Sequence, residues 1–575
     1  MERRVLFAIF LCFIVIYVWQ GFVVKPVPKP VPGSPQAATS PASATGPAGE
    51  TTAAQAPATP PPAVPEAPAS TALVTDAAER DIRVETNDVV AVFTNRGARL
   101  KSWRLKHYLD HDKQPQELVE IGTDTLPFTL RTADAAANRT LTGALYAVTG
   151  APADGNGSSG PTDLRFEYRD SAGLHAIKEF HLDPAAYMVS FRATVAAGDR
   201  MLPAAIVWGP AVGDKLTASN LVQGPQGILF ETGSAVRLTA KNIAAQPAYE
   251  GNYKYAGVDD NYFMTLAVEP GPAKVTFEPV TFPPPAGSKA AARTLLSYSI
   301  ERADPSTPVK YFVGPKALDV LTAINREFST AINFGRFAVI VVPLLQSLKW
   351  VHGFVGNWGW SIVILTVIIN LVTAPLRHKQ VVSMRKMQEI QPEVKAIQDR
   401  YAKYKATDPA KQNMNKEMMA LYRDKKVNPA AGCVPMLLTF PIMFAMWAVL
   451  QVSIELRGAP WVGWIQDLSA PDPYYILPVL MVVTQFLQQR MMPAAGADPA
   501  QQKMMMFMPL IMGFIFFSLP AGALLYYVAG TIIGISQQYL TTSIIGAPPV
   551  RTVRPAAERR VKRVGGGKTD AASRD

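Results

Sequence analysis

The sequence predicts a polytopic α-helical membrane protein, six transmembrane helices with both termini inside, carrying a large all-β sandwich on the outer face. Three observations predict it. Six segments are apolar over sixteen or more residues. Between the first and second of them, residues 81–307 read as short alternating runs of strand type. The net charge of +11 gathers in two segments that fall on one side of the bilayer if there are six spans. With 49% hydrophobic and 18% charged residues, the 575-residue chain suits a mixture of spans and soluble mass. Anionic lipid or ribosomal RNA is a second reading of the basic excess.

Residues 1–24 read as an uncleaved transmembrane anchor. Arg3 and Arg4 precede about twenty apolar residues without a small-residue cleavage site. Residues 25–78, rich in Pro, Ala, Thr and Ser, cannot bury enough apolar surface to order, and read as a disordered linker. Residues 79–315 carry the strand pattern, for example Val89–Phe93 and Tyr187–Phe191, punctuated by Gly, Asp, Asn and Pro; the pattern argues for an antiparallel sandwich. Asp259 with Asp260, and Glu179 with His181, could be read as the acid/base pairs of a carbohydrate-active enzyme, but loop charges and an alternating strand are the better account of them. Two cysteines, Cys12 and Cys433, exclude a disulfide framework or zinc site in this domain, and six histidines form no metal-ligand spacing. Residues 316–356 include Arg336–His352, which Pro343, Gln346 and Lys349 interrupt, so an amphipathic helix lying in the outer interface is expected.

Residues 357–546 hold the remaining five spans. Trp358–Pro375 is apolar enough to cross, yet Thr366, Asn370 and Thr373 fall on one helical face. Lipid solvates such a face poorly, so it should turn toward protein or water. Residues 376–432 form a basic segment with 13 Lys plus Arg against six Asp plus Glu. Met384 and Met387 lie on one apolar helical face, Met414 and Met418 on another, and Asp408-Pro409 start the second helix. A cytoplasmic hairpin follows, whose methionine faces pack on each other or meet apolar clients. Then come Pro435–Val452, Tyr474–Gln489, Met504–Leu519 and Gly522–Ile544, and a basic tail over 547–575.

Parity places residues 25–356 outside and the basic hairpin and tail inside. Asn370, Thr373, Thr439, Gln485, Gln488, Gln537 and Gln538 then lie in the cytoplasmic halves of their spans, and the outer halves are nearly all apolar. A through-pore needs polar lining at every depth. This asymmetry suits a cavity open only to the cytoplasm; threonines that bond their own helices, and Asn or Gln joining helices, are the alternative. Two spans of sixteen residues, about 24 Å of helix against about 30 Å of hydrocarbon, would thin the bilayer beside it.

The stretches KWVHGFVGNWGWSIVILT (349–366), EMMALYRDKKVNPAAGC (417–433), DLSAPDPYYILPVLM (467–481), DPAQQKMMMFMP (498–509) and LPAGALLYYV (519–528) closely resemble the YidC family of bacterial membrane protein insertases. The anchor and outer sandwich resemble its Gram-negative members, which implies a periplasmic β-supersandwich in the bacterial inner membrane. The resemblance implies a non-enzymatic insertase without cofactor or catalytic residues. Its partners would be nascent membrane proteins, the Sec translocon, and the ribosome and targeting machinery through hairpin and tail, with membrane lipids around it. The family's groove threonine, arginine and tyrosine fall by motif at Thr366, Asn370 and Tyr527, so Asn370 departs from the family pattern. Either the groove relies on wetness and thinning more than on charge, or Arg377, seven residues on, supplies charge from the cavity mouth. A multi-pass transporter or channel with an outer binding domain is the alternative function.

Overall fold

The computed structural model describes residues 71–546 apart from short internal segments, of which 151–161, 212–223, 284–292, 428–433 and 492–512 are the longest. The anchor, most of the linker, nearly all of the fifth span, the Thr439 side chain and the basic tail lie outside the described residues. Two compact units emerge, one β and one helical.

The β unit covers residues up to Asn333 and Val452–Gly458. It contains a fourteen-stranded sheet and a four-stranded sheet, with every pairing antiparallel. The large sheet runs in the order Ala72–Val74, Thr162–Asp170, Leu174–Leu182, Met188–Ala197, Val309–Pro315, Phe263–Phe282, Ala248–Asp259, Gln226–Phe230, Val236–Leu238. Alternation along each strand puts one face inward, as in Thr162–Asp170, where every second residue is buried. The small sheet, residues 81–117, lays Phe93 on Phe180 with ring centroids 4.8 Å apart, and Trp103 Nε1 donates to the Val313 carbonyl at 2.9 Å. Around Phe128 gather Phe180, Phe191, Trp208 and Tyr311 at 4.6–5.2 Å, the aromatic centre of the core.

The unit is larger than the strand pattern implied. Ala72–Val74, at the end of the expected linker, pairs with Thr162–Asp170. Beyond residue 315, Leu318, Leu321 and Phe328 are buried, so the chain as far as Asn333 packs with the sheets. Lys316 fixes this exit, donating to Asp259 Oδ2 at 2.8 Å and the Asp260 carbonyl at 2.7 Å.

One buried cation organises the unit's centre. The Lys178 ammonium donates to the carbonyls of Gly97 at 2.7 Å, Ala98 at 3.1 Å and Phe128 at 2.7 Å. All three carbonyls belong to residues with left-handed φ, at 68°, 48° and 66°. That backbone is costly for alanine and phenylalanine, and the glycine is obligatory because a Cβ there would lie 2.6 Å from the Thr142 carbonyl. Burial, with Arg99 adding a like charge, pulls the Lys178 pKa well below the usual lysine range. The three carbonyls, which take all three ammonium protons, oppose that pull.

The helical unit covers 334–451 and 459–546. Its helices are α1 (Ala338–Val355), α2 (Trp358–Glu389), α3 (Gln391–Arg400), α4 (Pro409–Asp424), α5 (Val434–Val452), α6 (Ile476–Met491) and α7 (Ala521–Ile545). By length and apolar composition α1 and α2 can each cross a membrane. Pro343 does not interrupt α1, which buries Val341, Leu345, Leu348 and Val351 along one face and exposes Val339, Trp350 and Phe354. Similarly α2 runs through Pro375, where the expected span ended, to Glu389, so the hairpin's first residues continue the span. A proline removes one N–H from a helix without breaking one whose other bonds and packing persist.

Replacing Lys178 by methionine leaves three buried carbonyls without a donor. Lys178→Met is expected to destabilise the β unit by about 3 kcal/mol, read as a lowered denaturant midpoint followed by tryptophan fluorescence. An unchanged midpoint would remove the cage from this account.

Candidate functional site

The site grows from how α2 is placed. Asn357 caps it, its Oδ1 accepting from the Trp360 N–H at 3.1 Å. One face is then apolar and exposed, with Leu371 and Val372 at 62% and 75% accessibility. The opposite face buries Ser361, Ile362, Leu365, Thr366 and Asn370, and α7 packs along α2 as well as along α6.

Within that contact the polar groups first satisfy their own helix. Thr366 Oγ1 donates to the Ile362 carbonyl at 2.6 Å, Asn370 Nδ2 to the Thr366 carbonyl at 2.7 Å and Thr373 Oγ1 to the Ile369 carbonyl at 2.9 Å. On α7 Thr531 does the same toward Tyr527 at 2.8 Å, and on α6 Thr484 bonds back to Met481 at 3.0 Å. These bonds cost little and bend helices slightly. Helix approach is set by Gly530, where a Cβ would lie 3.7 Å from Thr366 Cγ2 and 4.0 Å from Asn370 Nδ2. Thr366 and Asn370 therefore form a sealed contact with α7.

Below the seal the helices part. A cavity of about 930 Å³ opens, walled by the Leu371–Gln388 stretch of α2, by Gln488 and Met491 of α6 and by Gly534–Thr542 of α7. Its roof is polar. Gln537 Nε2 donates to the Asn370 carbonyl at 3.0 Å and Gln538 Nε2 to the Met491 carbonyl at 2.7 Å, tying α7 to both neighbours. Asn370 Oδ1 and Gln537 Oε1 are buried acceptors without a partner among the described residues. Such atoms invite a donor from whatever fills the space. Arg377 lines the cavity, its guanidinium over Gly534: a Cβ there would come within 2.6 Å of Arg377 Nη1 and 2.8 Å of Gln488 Nε2. Lys379, Arg385 and His378 line it too, and no Asp or Glu does among the described residues.

The expected groove residues thus separate. Gln488 and Met384 line the cavity. Thr366 and Asn370 lie in the seal above it, with Thr373 half-buried beside them. Gln485 is exposed on α6 and lines no part of the cavity. Tyr527 sits one level higher in an aromatic group, 6.4 Å from Trp447 and 5.7 Å from Phe516 between centroids. Thr439 belongs to α5, but its side chain is outside the described residues. The hairpin methionines serve mainly each other. Met387 and Met418 pack on Ile390, Val394 and Val427 with Leu421 and Tyr422. Arg400 pairs with Glu417 and Lys425 with Glu393, each at 3.0 Å, and Met414 is half-buried.

Arg385 and Lys379 are the cavity residues that the sequence reading missed. Their signal was present in the helix period, since Arg385 lies eight residues beyond Arg377 and near its face, but it required α2 to continue past Pro375.

The β unit's carboxylates are committed to structure. Asp259 is fully buried against Lys316, and Asp260 Oδ1 accepts the Tyr262 and Phe263 N–H groups at 2.8 and 2.7 Å. Glu179 bridges Arg165 and Arg192, and His181 pairs with Asp163 at 2.7 Å. Asp472, in the loop before α6, accepts from Trp464 Nε1 and from the Tyr474 and Leu477 N–H groups, and so caps that helix.

Residues 350–547 match the family described as 60Kd inner membrane protein, and residues 81–347 match the YidC periplasmic domain. The membrane protein insertase YidC of Pelobacter propionicus is 31% identical over 570 residues, 95% of this chain and 100% of that one. Its counterpart in Cupriavidus metallidurans is 46% identical over 241 residues, 42% of each chain. An active YidC insertase crystal structure with its first transmembrane domain resolved aligns at 19% identity and a TM-score of 0.35, covering 81% of this chain and 94% of that one.

If Gly530 sets the seal, size at that position should decide its integrity. Gly530→Ala fits the 3.7 Å gap to Thr366 and should leave the melting temperature in detergent unchanged. Gly530→Leu overpacks the contact and should cost about 1–3 kcal/mol. Equal melting temperatures for the two variants would contradict the packing.

Proposed function

The chain belongs to the YidC family of membrane protein insertases, and from that premise we propose that it receives polar segments of nascent membrane proteins in the basic cavity beneath the α2–α7 seal. The family's members are inner-membrane proteins with membrane-spanning helices and a periplasmic β-sandwich, and they are insertases rather than enzymes. The observation that carries the proposal is the cavity itself. It is cationic at one end of the helices, closed above by the Thr366–Asn370–Gly530 contact, and lined by Arg377 and by Gln537, whose Oε1 has no partner among the described residues.

On this reading six spans place both termini in the cytoplasm and residues 25–356 in the periplasm, so the cavity opens to the cytoplasm and the inner leaflet. A client's polar segment enters where water and Arg377 solvate it. It meets Gln488 and Gln537, whose amides satisfy peptide groups. Beside it α6 has sixteen residues, about 24 Å of helix, so the adjoining bilayer thins and the remaining barrier is short. Arg377 takes the role that the family's groove arginine has at the position of Asn370. The hairpin and basic tail meet the ribosome and targeting machinery, and the Sec translocon cooperates on larger clients.

Depletion in cells should halt insertion of small single- and double-spanning proteins; normal insertion would refute the assignment. Within the site, Arg377→Ala should impair insertion more than Asn370→Ala, because Asn370 bonds its own helix. Photocrosslinkers at Gln488 or Gln537 should capture a nascent chain, and one at Thr366 should not. Stronger adducts from Thr366 would move the client's path into the seal.

A further inference from the structure

Among the described residues the cationic lining has no carboxylate as counter-charge. Three Lys or Arg residues and one histidine face a single cavity with no carboxylate among the described lining residues. Arg377 forms no ion pair with a described residue. Arg385 donates to the Gly546 carbonyl through one nitrogen, while its Nη1 is buried without a partner. Like charges confined between helices repel, and a buried guanidinium nitrogen without an acceptor is costly. Clients come and go, so they cannot neutralise this cluster between insertion events. A standing anion is required.

Depth identifies its source. Arg377 lies nineteen residues after Trp358 on one continuous helix. That separation is about 29 Å, the thickness of the hydrocarbon core, so Arg377 sits at the level of the lipid phosphates. Apolar, accessible walls adjoin it: of the cavity's lining, Leu371 on α2 and Leu540 on α7 are 62% and 59% exposed. A ligand with a phosphate beside an acyl chain matches both halves of this lining.

We propose that the cavity holds a resident anionic phospholipid, its phosphate bound by Arg377 and Arg385 and one acyl chain laid along Leu371 and Leu540. The inference rests on the membrane placement in the proposed function, but not on insertase activity. A guanidinium pairs a phosphate bidentately. A net negative headgroup is preferred over a zwitterionic one, whose own cation would enter an already positive cavity. The lipid is the cavity's counter-ion at rest and leaves when a client's polar segment enters.

Native mass spectrometry of the full chain in neutral detergent tests it, with phosphatidylglycerol or phosphatidylcholine added at equal concentration. One phosphatidylglycerol should be retained about tenfold more than phosphatidylcholine, as expected for two basic side chains near a phosphate. The double variant Arg377→Gln/Arg385→Gln should lose the preference, and Arg377→Lys/Arg385→Lys should keep it. Circular dichroism and melting temperature establish that the variants fold. Equal retention of the two lipids, or an undiminished preference in the folded glutamine variant, overturns the proposal. Displacement by millimolar inorganic phosphate overturns the lipid in favour of a free-anion site. Retention of an added acidic apolar peptide without any lipid preference overturns it in favour of a client-only site. Insertion by the same variants is read separately: lipid preference without insertion counts against the proposed function alone, and insertion without lipid preference against the lipid alone.

Discussion

In hydrocarbon a polar atom has only protein to bond, and the helical unit is arranged around that constraint. On α2 the constraint is met locally, with Thr366, Asn370 and Thr373 all returning their donors to carbonyls of the preceding turn. With their donors satisfied, these side chains ask no acceptor of α7, and of the three only Asn370 keeps a buried, unpartnered oxygen there. Gly530 then lets the two helices close. One turn further down, the bonding pattern changes from within helices to between them. Gln537 reaches the Asn370 carbonyl and Gln538 the end of α6. The seal and the cavity are consequences of a single switch in where hydrogen bonds are satisfied.

The same constraint bears on the proposal that Arg377 supplies the cavity's charge. An arginine at position 370 would carry its guanidinium into a contact where Asn370 is 5% exposed, so it would have to extend down to the cavity to be solvated. Asparagine permits the tighter contact and leaves the cation to Arg377, seven residues or about 10 Å nearer the helix end. There the arginine needs no extension, because it stands in the cavity wall beside Gln488. The β unit meets burial differently. Among the described residues its deepest lysine, Lys178, is held by three carbonyls, and its deepest aspartate, Asp259, by Lys316. Its polar chemistry is spent on holding turns and exits, which argues against reading Asp259 and Asp260 as an acid/base pair.

Much of this architecture was legible because spans are written in local composition. The segments expected at Pro435–Val452, Tyr474–Gln489 and Gly522–Ile544 appear as Val434–Val452, Ile476–Met491 and Ala521–Ile545. Thr366 and Asn370 do turn away from the exposed face, as their spacing required. What could not be read locally is which polar residue meets space and which meets another helix. Gln485 and Gln488 differ by three residues, yet only Gln488 points at the gap that α7 leaves. By sequence Pro343 reads as an interruption and Pro375 as a boundary, but a proline costs one hydrogen bond and packing along the rest of the helix outweighs it. Asp472 caps α6 from the preceding loop, a role that only the folded backbone reveals.

The seal's position sets how much hydrocarbon a client must still cross. Asn370 is twelve residues from Trp358 on α2, so the cavity roof lies about 18 Å below the outer end of the helix, against about 30 Å for the intact core. On the proposed reading the cavity removes about two-fifths of the barrier before any thinning beside α6. The cost of a polar segment in hydrocarbon rises steeply toward the bilayer centre and is relieved by water defects and local thinning. A cavity that reaches toward the centre therefore relieves the costliest part. On the same reading, charge at Arg377 draws in and holds a polar segment at the entrance, and the Gln537 amide meets it deeper, beneath the Asn370 contact. Charge and neutral hydrogen bonding would then act at different depths of one cavity.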